Sequence, residues 1–87
     1  MDVRRVIGAN VRRFRLDADL TQARVAEIMG VDRAYISALE RGERNPTVLS
    51  LWQVSEALGI HIARFFDEAA LPASEDIVGK RASKRSQ

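Results

Sequence analysis

Apolar positions recur along this chain in a succession of short helical periods. Val3, Ile7, Val11 and Phe14 are spaced by four, four and three, one apolar stripe. This predicts a helix over residues 3–16 with Asp2 as its cap. Asp17-Ala18-Asp19 forms a loop, and Leu20 is a buried anchor behind it. Val25, Ala26 and Met29 make the inner face of a second helix, Gln22 to Met29, opened by Thr21 and closed by Gly30. Ile36 and Leu39 hold a third inward, opened by Asp32 and closed at Gly42. Val48, Leu51, Val54 and Leu58 predict a fourth over residues 48–58, with Thr47 as cap and Gly59 as stop. Ile60 to Phe66 reads as a short fifth helix on Ile62, Phe65 and Phe66. The expected class is all-α.

The second and third patterns are separated only by Gly30-Val31-Asp32. Two helices joined by so short a turn form a helix-turn-helix unit, whose second helix can lie in the DNA major groove. On a helical wheel with Ile36 at zero, Leu39 falls at about −60° and Glu40 at about +40°. Arg33, Ala34, Ser37, Ala38 and Arg41 then occupy the outward face. Small residues let a backbone approach a groove, and an arginine fork matches the O6 and N7 acceptors of guanine. Taken alone, Arg33 reads as a solvated charge at a helix start. Arg24 takes the third helical position, where a capping acid would suit the dipole better. It is a surface arginine or a phosphate contact.

Charge does not decide the matter. The chain has 87 residues and a net charge of +2, but residues 1–68 hold ten arginines and ten acids. The excess lies in the tail, with Lys80, Arg81, Lys84 and Arg85 against Glu75 and Asp76. Arrangement, not net charge, must carry any case for nucleic acid. The length suggests one small domain over residues 1–68 with a polar, basic tail over 69–87. The tail's cations solvate the terminus or add nonspecific phosphate attraction. Cysteine is absent and histidine single, so no metal site and no cofactor are expected. No apolar run reaches membrane-spanning length and Met1-Asp2 does not open a signal peptide. A cytoplasmic protein without membrane contact is expected. Neither a phosphate-binding glycine loop nor a nucleophile–base pair is present, so it is not expected to be an enzyme.

Trp52, Ile60, Ile62, Phe65 and Phe66 exceed what a small core readily hides, and are expected to form a dimer interface. A lone Trp is also commonly simple packing. His61 sits at a helix start with no partner for catalysis.

The string LTQARVAEIMGVDRAYISALERGERNPTVLSLWQVSEALGI resembles the Cro/Xre-type helix-turn-helix repressors. The likeness covers Val6 to Phe66, and DRAYIS, ERGERNPT and the later FF look most like the controller proteins of restriction–modification systems. The resemblance implies a five-helix, lambda-repressor-like domain that binds double-stranded operator DNA as a homodimer. Carried over by position, Arg33, Ala34, Ser37 and Ala38 face the bases. Gln22 bonds a phosphate, and Tyr35, Arg44 and Asn45 lie at the backbone or groove edge, with Thr21, Arg24 and Arg41 completing that set. Arg15 and Glu40 form an internal ion pair. Ala34 and Ala38 offer few hydrogen bonds, which suggests a short base code helped by thymine methyl contacts or DNA shape. Ser55 departs from the family's usual alanine.

Two functions follow. One is a sequence-specific transcriptional regulator, a repressor on a near-palindromic operator. The other is an antitoxin-type interaction module that binds a protein partner through helix 5 or the tail and regulates its own synthesis.

Overall fold

Every helix begins where a short polar side chain accepts a backbone N–H. In the computed structural model, which describes residues 2–70, Asp2 accepts from Arg4 N at the head of α1 (Val3–Asp17). Thr21 accepts from Arg24 N before α2 (Gln22–Met29). Asp32 accepts from Tyr35 N before α3 (Arg33–Glu40), and Thr47 from Ser50 N before α4 (Val48–Leu58). The expected caps are therefore the observed ones. α2, α3 and α4 each end on paired backbone bonds that wrap the last turn: Val31 N to Ala26 O at 3.0 Å, Glu43 N to Ala38 O at 2.9 Å and Ile60 N to Ser55 O at 3.0 Å. From residue 71 the expected tail lies outside the described residues.

The fold is all-helical among the described residues, but the fifth element is not an α-helix. Ile62–Phe66 forms a 3-10 helix, followed by a single 3-10 turn at Glu68–Ala70. Arg64 N bonds His61 O at 2.9 Å and Asp67 N bonds Arg64 O at 3.3 Å, both with three-residue reach. What stops the element from running on lies in α1. The Asn10 carboxamide donates to Phe65 O and Asp67 O, each at 2.8 Å, and to Val6 O at 3.1 Å. Carbonyls that a continuing α-helix would bond internally are bonded by Asn10 instead, while Ala69 N turns to Asp67 Oδ1.

Ile7, Val11 and Phe14 of α1 meet Val25, Ala26, Ile36, Leu39, Leu51, Val54, Leu58 and Phe65 in one core. Phe65 is fully buried, its ring 6.2 Å from that of Phe14. Placing it in a dimer interface is therefore corrected: it is core. Val3 and Val48 were expected inward and are 52% and 79% exposed. Each lies at the first position of its helix, where the apolar stripe runs past its cover.

α1 crosses α3 at close quarters. A Cβ built on Gly8 would come within 2.4 Å of the Leu39 carbonyl oxygen and 2.7 Å of that of Glu40. Only a glycine lets the two backbones meet this way. The end of α3 is fixed similarly at Gly42, whose φ of +77° favours glycine and whose missing Cβ would strike the Arg5 Cα at 3.0 Å.

Candidate nucleic-acid interface

α2, the turn and α3 carry the expected reading surface. Ile36 and Leu39 are buried, and Ala34 and Arg33 are exposed on the opposite side with Ser37 and Ala38 partly so. The wheel is thus realised in space.

Behind this surface sits an ion pair. Arg15 Nε donates to Glu40 Oε2 at 2.6 Å and Nη2 to Oε1 at 3.1 Å. The side chains are only 10% and 3% exposed. Arg15 Nη1 also donates to Leu20 O at 2.9 Å, tying the loop ahead of α2 to the same guanidinium. A bidentate pair with a third bond satisfies most of what burial strips from these charges. It pins α1, the loop and the last turn of α3 together.

The pair also reaches outward. Gln22 Nε2 donates to Glu40 Oε1 at 3.0 Å, and Arg33 Nη1 donates to Gln22 Oε1 at 3.1 Å. Of the positions expected at the bases, Arg33 is therefore held by a chain that starts in the interior. Ser37 accepts from Arg41 Nη1, whose Nη2 donates to Glu43 Oε1 at 3.0 Å. That bond holds the Glu43 carboxyl below its usual range and raises the Arg41 guanidinium above its own.

Of those expected at the DNA backbone, Thr21 caps α2 through Arg24 N at 3.0 Å. Arg24 pairs with Glu27 at 2.8 Å, one turn on. Arg44 lies 4.8 Å above the Tyr35 ring in a cation–π contact. Together they border an open cleft with Val31, Asp32 and Ala34. Asn45 is exposed in the following loop.

The expected interface residues divide. Trp52, Ile60 and Ile62 line one shallow cleft at the end of α4. Phe66 is 49% exposed and Trp52 51%. Ser55 is buried there, donating to Trp52 O at 2.6 Å. Two structural positions were not anticipated, Gly8 and Asn10. Their signal was faint: a glycine and a carboxamide within the first helix, Asn10 one residue before the stripe position Val11.

The helix-turn-helix family (HTH_3) matches residues 11–65, from within α1 to the 3-10 helix. The chain belongs to the Cro/Xre-type helix-turn-helix family. Within it, the chain is 40% identical over 82 residues to the HTH-type transcriptional regulator y4dJ of Sinorhizobium fredii, covering 93% of this chain and 100% of that one. It is 35% identical over 71 residues to the control protein C.SmaI of Serratia marcescens, covering 82% and 84%. The restriction–modification controller protein C.Esp1396I, solved as a tetramer on its natural 35 base-pair operator, superposes with a TM-score of 0.68 at 30% identity, covering 76% of this chain and 87% of that one. This helix-turn-helix protein is thus a DNA-binding transcription regulator, similar to the controller proteins. Among its described residues no helix is long and apolar enough to cross a membrane.

Proposed function

We propose that the chain is a sequence-specific repressor that binds a near-palindromic operator as a homodimer, and that it works on DNA in the cytoplasm rather than as an enzyme. The observation that carries this reading is the outward face of α3. Arg33 stands at its exposed start, anchored through Gln22 to Glu40, and the neighbours Ala34, Ser37 and Ala38 are too small to hold the helix off a groove floor. Arg33 reads guanine by its fork, Ser37 adds a hydroxyl, and the two alanines meet thymine methyls. Thr21, Gln22, Arg24, Tyr35, Arg41, Arg44 and Asn45 border this face and engage phosphates or the groove edge. With ten arginines against ten acids over residues 1–68, attraction comes from these local positions and not from bulk charge.

Trp52, Ile60, Ile62 and Phe66 form the self-complementary face, with Phe65 supporting it from the core. Two protomers joined there present their α3 helices about 34 Å apart, one turn of duplex. A dimer on an operator that overlaps a promoter represses by occupying the site.

Selection of bound sequences from random duplex DNA tests the reading. A two-fold symmetric consensus with half-sites one turn apart is expected; no enrichment refutes it. Arg33→Ala should lose ~1–3 kcal/mol and relax one base pair. Sedimentation showing a monomer at micromolar concentration would refute the dimer alone.

A further inference from the structure

A serine hydroxyl carries one proton and two lone pairs, so by itself it reads either kind of base edge. Ser37 is not by itself. Arg41, one turn on, directs Nη1 at its Oγ, and a guanidinium only donates. In that contact Ser37 accepts on one of its two lone pairs, its proton points away from the cation, and the guanidinium polarises the hydroxyl, making it a stronger donor and a weaker acceptor on the remaining lone pair. Among the described residues this is the hydroxyl's only hydrogen bond. Ser55 is the contrast: its proton is taken by the Trp52 carbonyl of its own helix, at 2.6 Å. Nothing similar occupies the proton of Ser37, which is partly exposed beside Ala34 and Ala38. Arg41 is itself held, because Nη2 donates to Glu43 Oε1 at 3.0 Å just beyond the helix end.

We infer that Ser37 reads DNA mainly as a hydrogen-bond donor, that Arg41 is the positioning residue that biases it so, and that Glu43 anchors Arg41 in that orientation. This rests on the base-reading role proposed for α3. The base-pair edge facing Ser37 is then one that offers an acceptor, such as guanine O6 or N7, adenine N7 or thymine O4. The amino proton of cytosine N4 is disfavoured, because it would have to share Oγ with the Arg41 cation. Arg33 and Ser37, the two hydrogen-bonding side chains among the four positions proposed to face the bases, are then both set by carboxylates that do not touch the bases. Glu40 acts through Gln22, and Glu43 through Arg41.

Random-duplex selection followed by competition binding is run on the full chain and on Ser37→Ala, Arg41→Met and Glu43→Gln. Melting curves confirm that each is folded. The wild type is expected to favour an acceptor edge at one position per half-site, and Ser37→Ala to lose that preference there alone. Arg41→Met, which keeps the aliphatic stem, should reduce it about tenfold while the base pair read by Arg33 stays enriched. Glu43→Gln leaves α3 unaltered and should weaken the same preference by less. If Arg41→Met lowers affinity for every sequence alike with the preference intact, Arg41 serves the phosphates alone and the inference is overturned. A cytosine amino group favoured by the wild type at the Ser37 position overturns it as well. A wild type that enriches no sequence overturns the base-reading role itself, a result distinct from either.

Discussion

Gln22 and Arg33 lie eleven residues apart, yet Gln22 Oε1 accepts a hydrogen bond from Arg33 Nη1 at 3.1 Å. The amide has no freedom to turn over. Its Nε2 faces the Glu40 carboxylate at 3.0 Å, and a carboxylate only accepts, so the oxygen must face the guanidinium. A buried charge thereby sets the direction of an exposed one. Gln22→Ala should release Arg33 and lower discrimination at its base pair by ~1 kcal/mol. Competition between operators that differ at that pair measures it; an equal loss on both would show that Gln22 serves only affinity.

Glu40 and Arg15 carry more of the stability than of the specificity. Truncating Glu40 strands a guanidinium that is 10% exposed, at ~3–5 kcal/mol. In a domain whose total is on the order of 5–15 kcal/mol, Glu40→Ala should unfold at much lower urea. The double variant Arg15→Ala/Glu40→Ala should lose less than the sum of the single losses. Additive losses would mean the two charges are solvated independently.

Gly8→Ala is expected to be costly despite the better helix propensity of alanine. The new methyl would meet backbone oxygen at 2.4 Å, and backbone cannot rotate aside. The loss should be ~1–3 kcal/mol or more, with weaker operator binding because α3 is displaced. Gly30→Ala serves as the control: its Cβ meets open space, and only the left-handed conformation costs, at ~1 kcal/mol. Thermal melts of the two variants should rank them in that order.

Acid should loosen the head of α1. The Asp2 carboxyl is lowered from 3.8 to about 2, chiefly by the side-chain hydrogen bond from Arg4 and then by Arg4 N. A depressed carboxylate contributes stability above its unfolded pKa and loses it as pH falls through the folded one. The cap should therefore weaken between roughly pH 4 and pH 2. An NMR titration of Asp2 with a midpoint near 2 is expected, and a midpoint near 4 would mean the contact is not formed. Asp2→Asn should keep the cap and lose the pH dependence.

How much of this could be read from the sequence depends on the reach of each interaction. Thr21, Asp32 and Thr47 cap as expected because each accepts from a backbone N–H only three residues on. The apolar periods placed Ile36 and Leu39 correctly, and the wheel put Glu40 at the core's edge. A period states which side chains share a face, not what covers the face. Hence Val48 lies on the right stripe and remains exposed, and Phe65, read as surface, fills the core. Gly8 and Asn10 were illegible for the same reason: their partners stand far along the chain, Asn10 bonding carbonyls 55 and 57 residues away. The Gln22–Arg33 link required both the turn geometry and the buried carboxylate before it had a direction.

The Asn10 carboxamide joins the first helix to carbonyls at residues 65 and 67, and this sets an order of events during synthesis. The reading helix is complete by Glu40, but Phe14 lacks its ring partner, and Asn10 its acceptors, until Asp67 has been added. At ~5–20 residues per second, that leaves an interval of roughly one to five seconds in which α3 has been synthesised without its finished scaffold. The last turn of the domain, and not α3, is the piece whose arrival completes the scaffold.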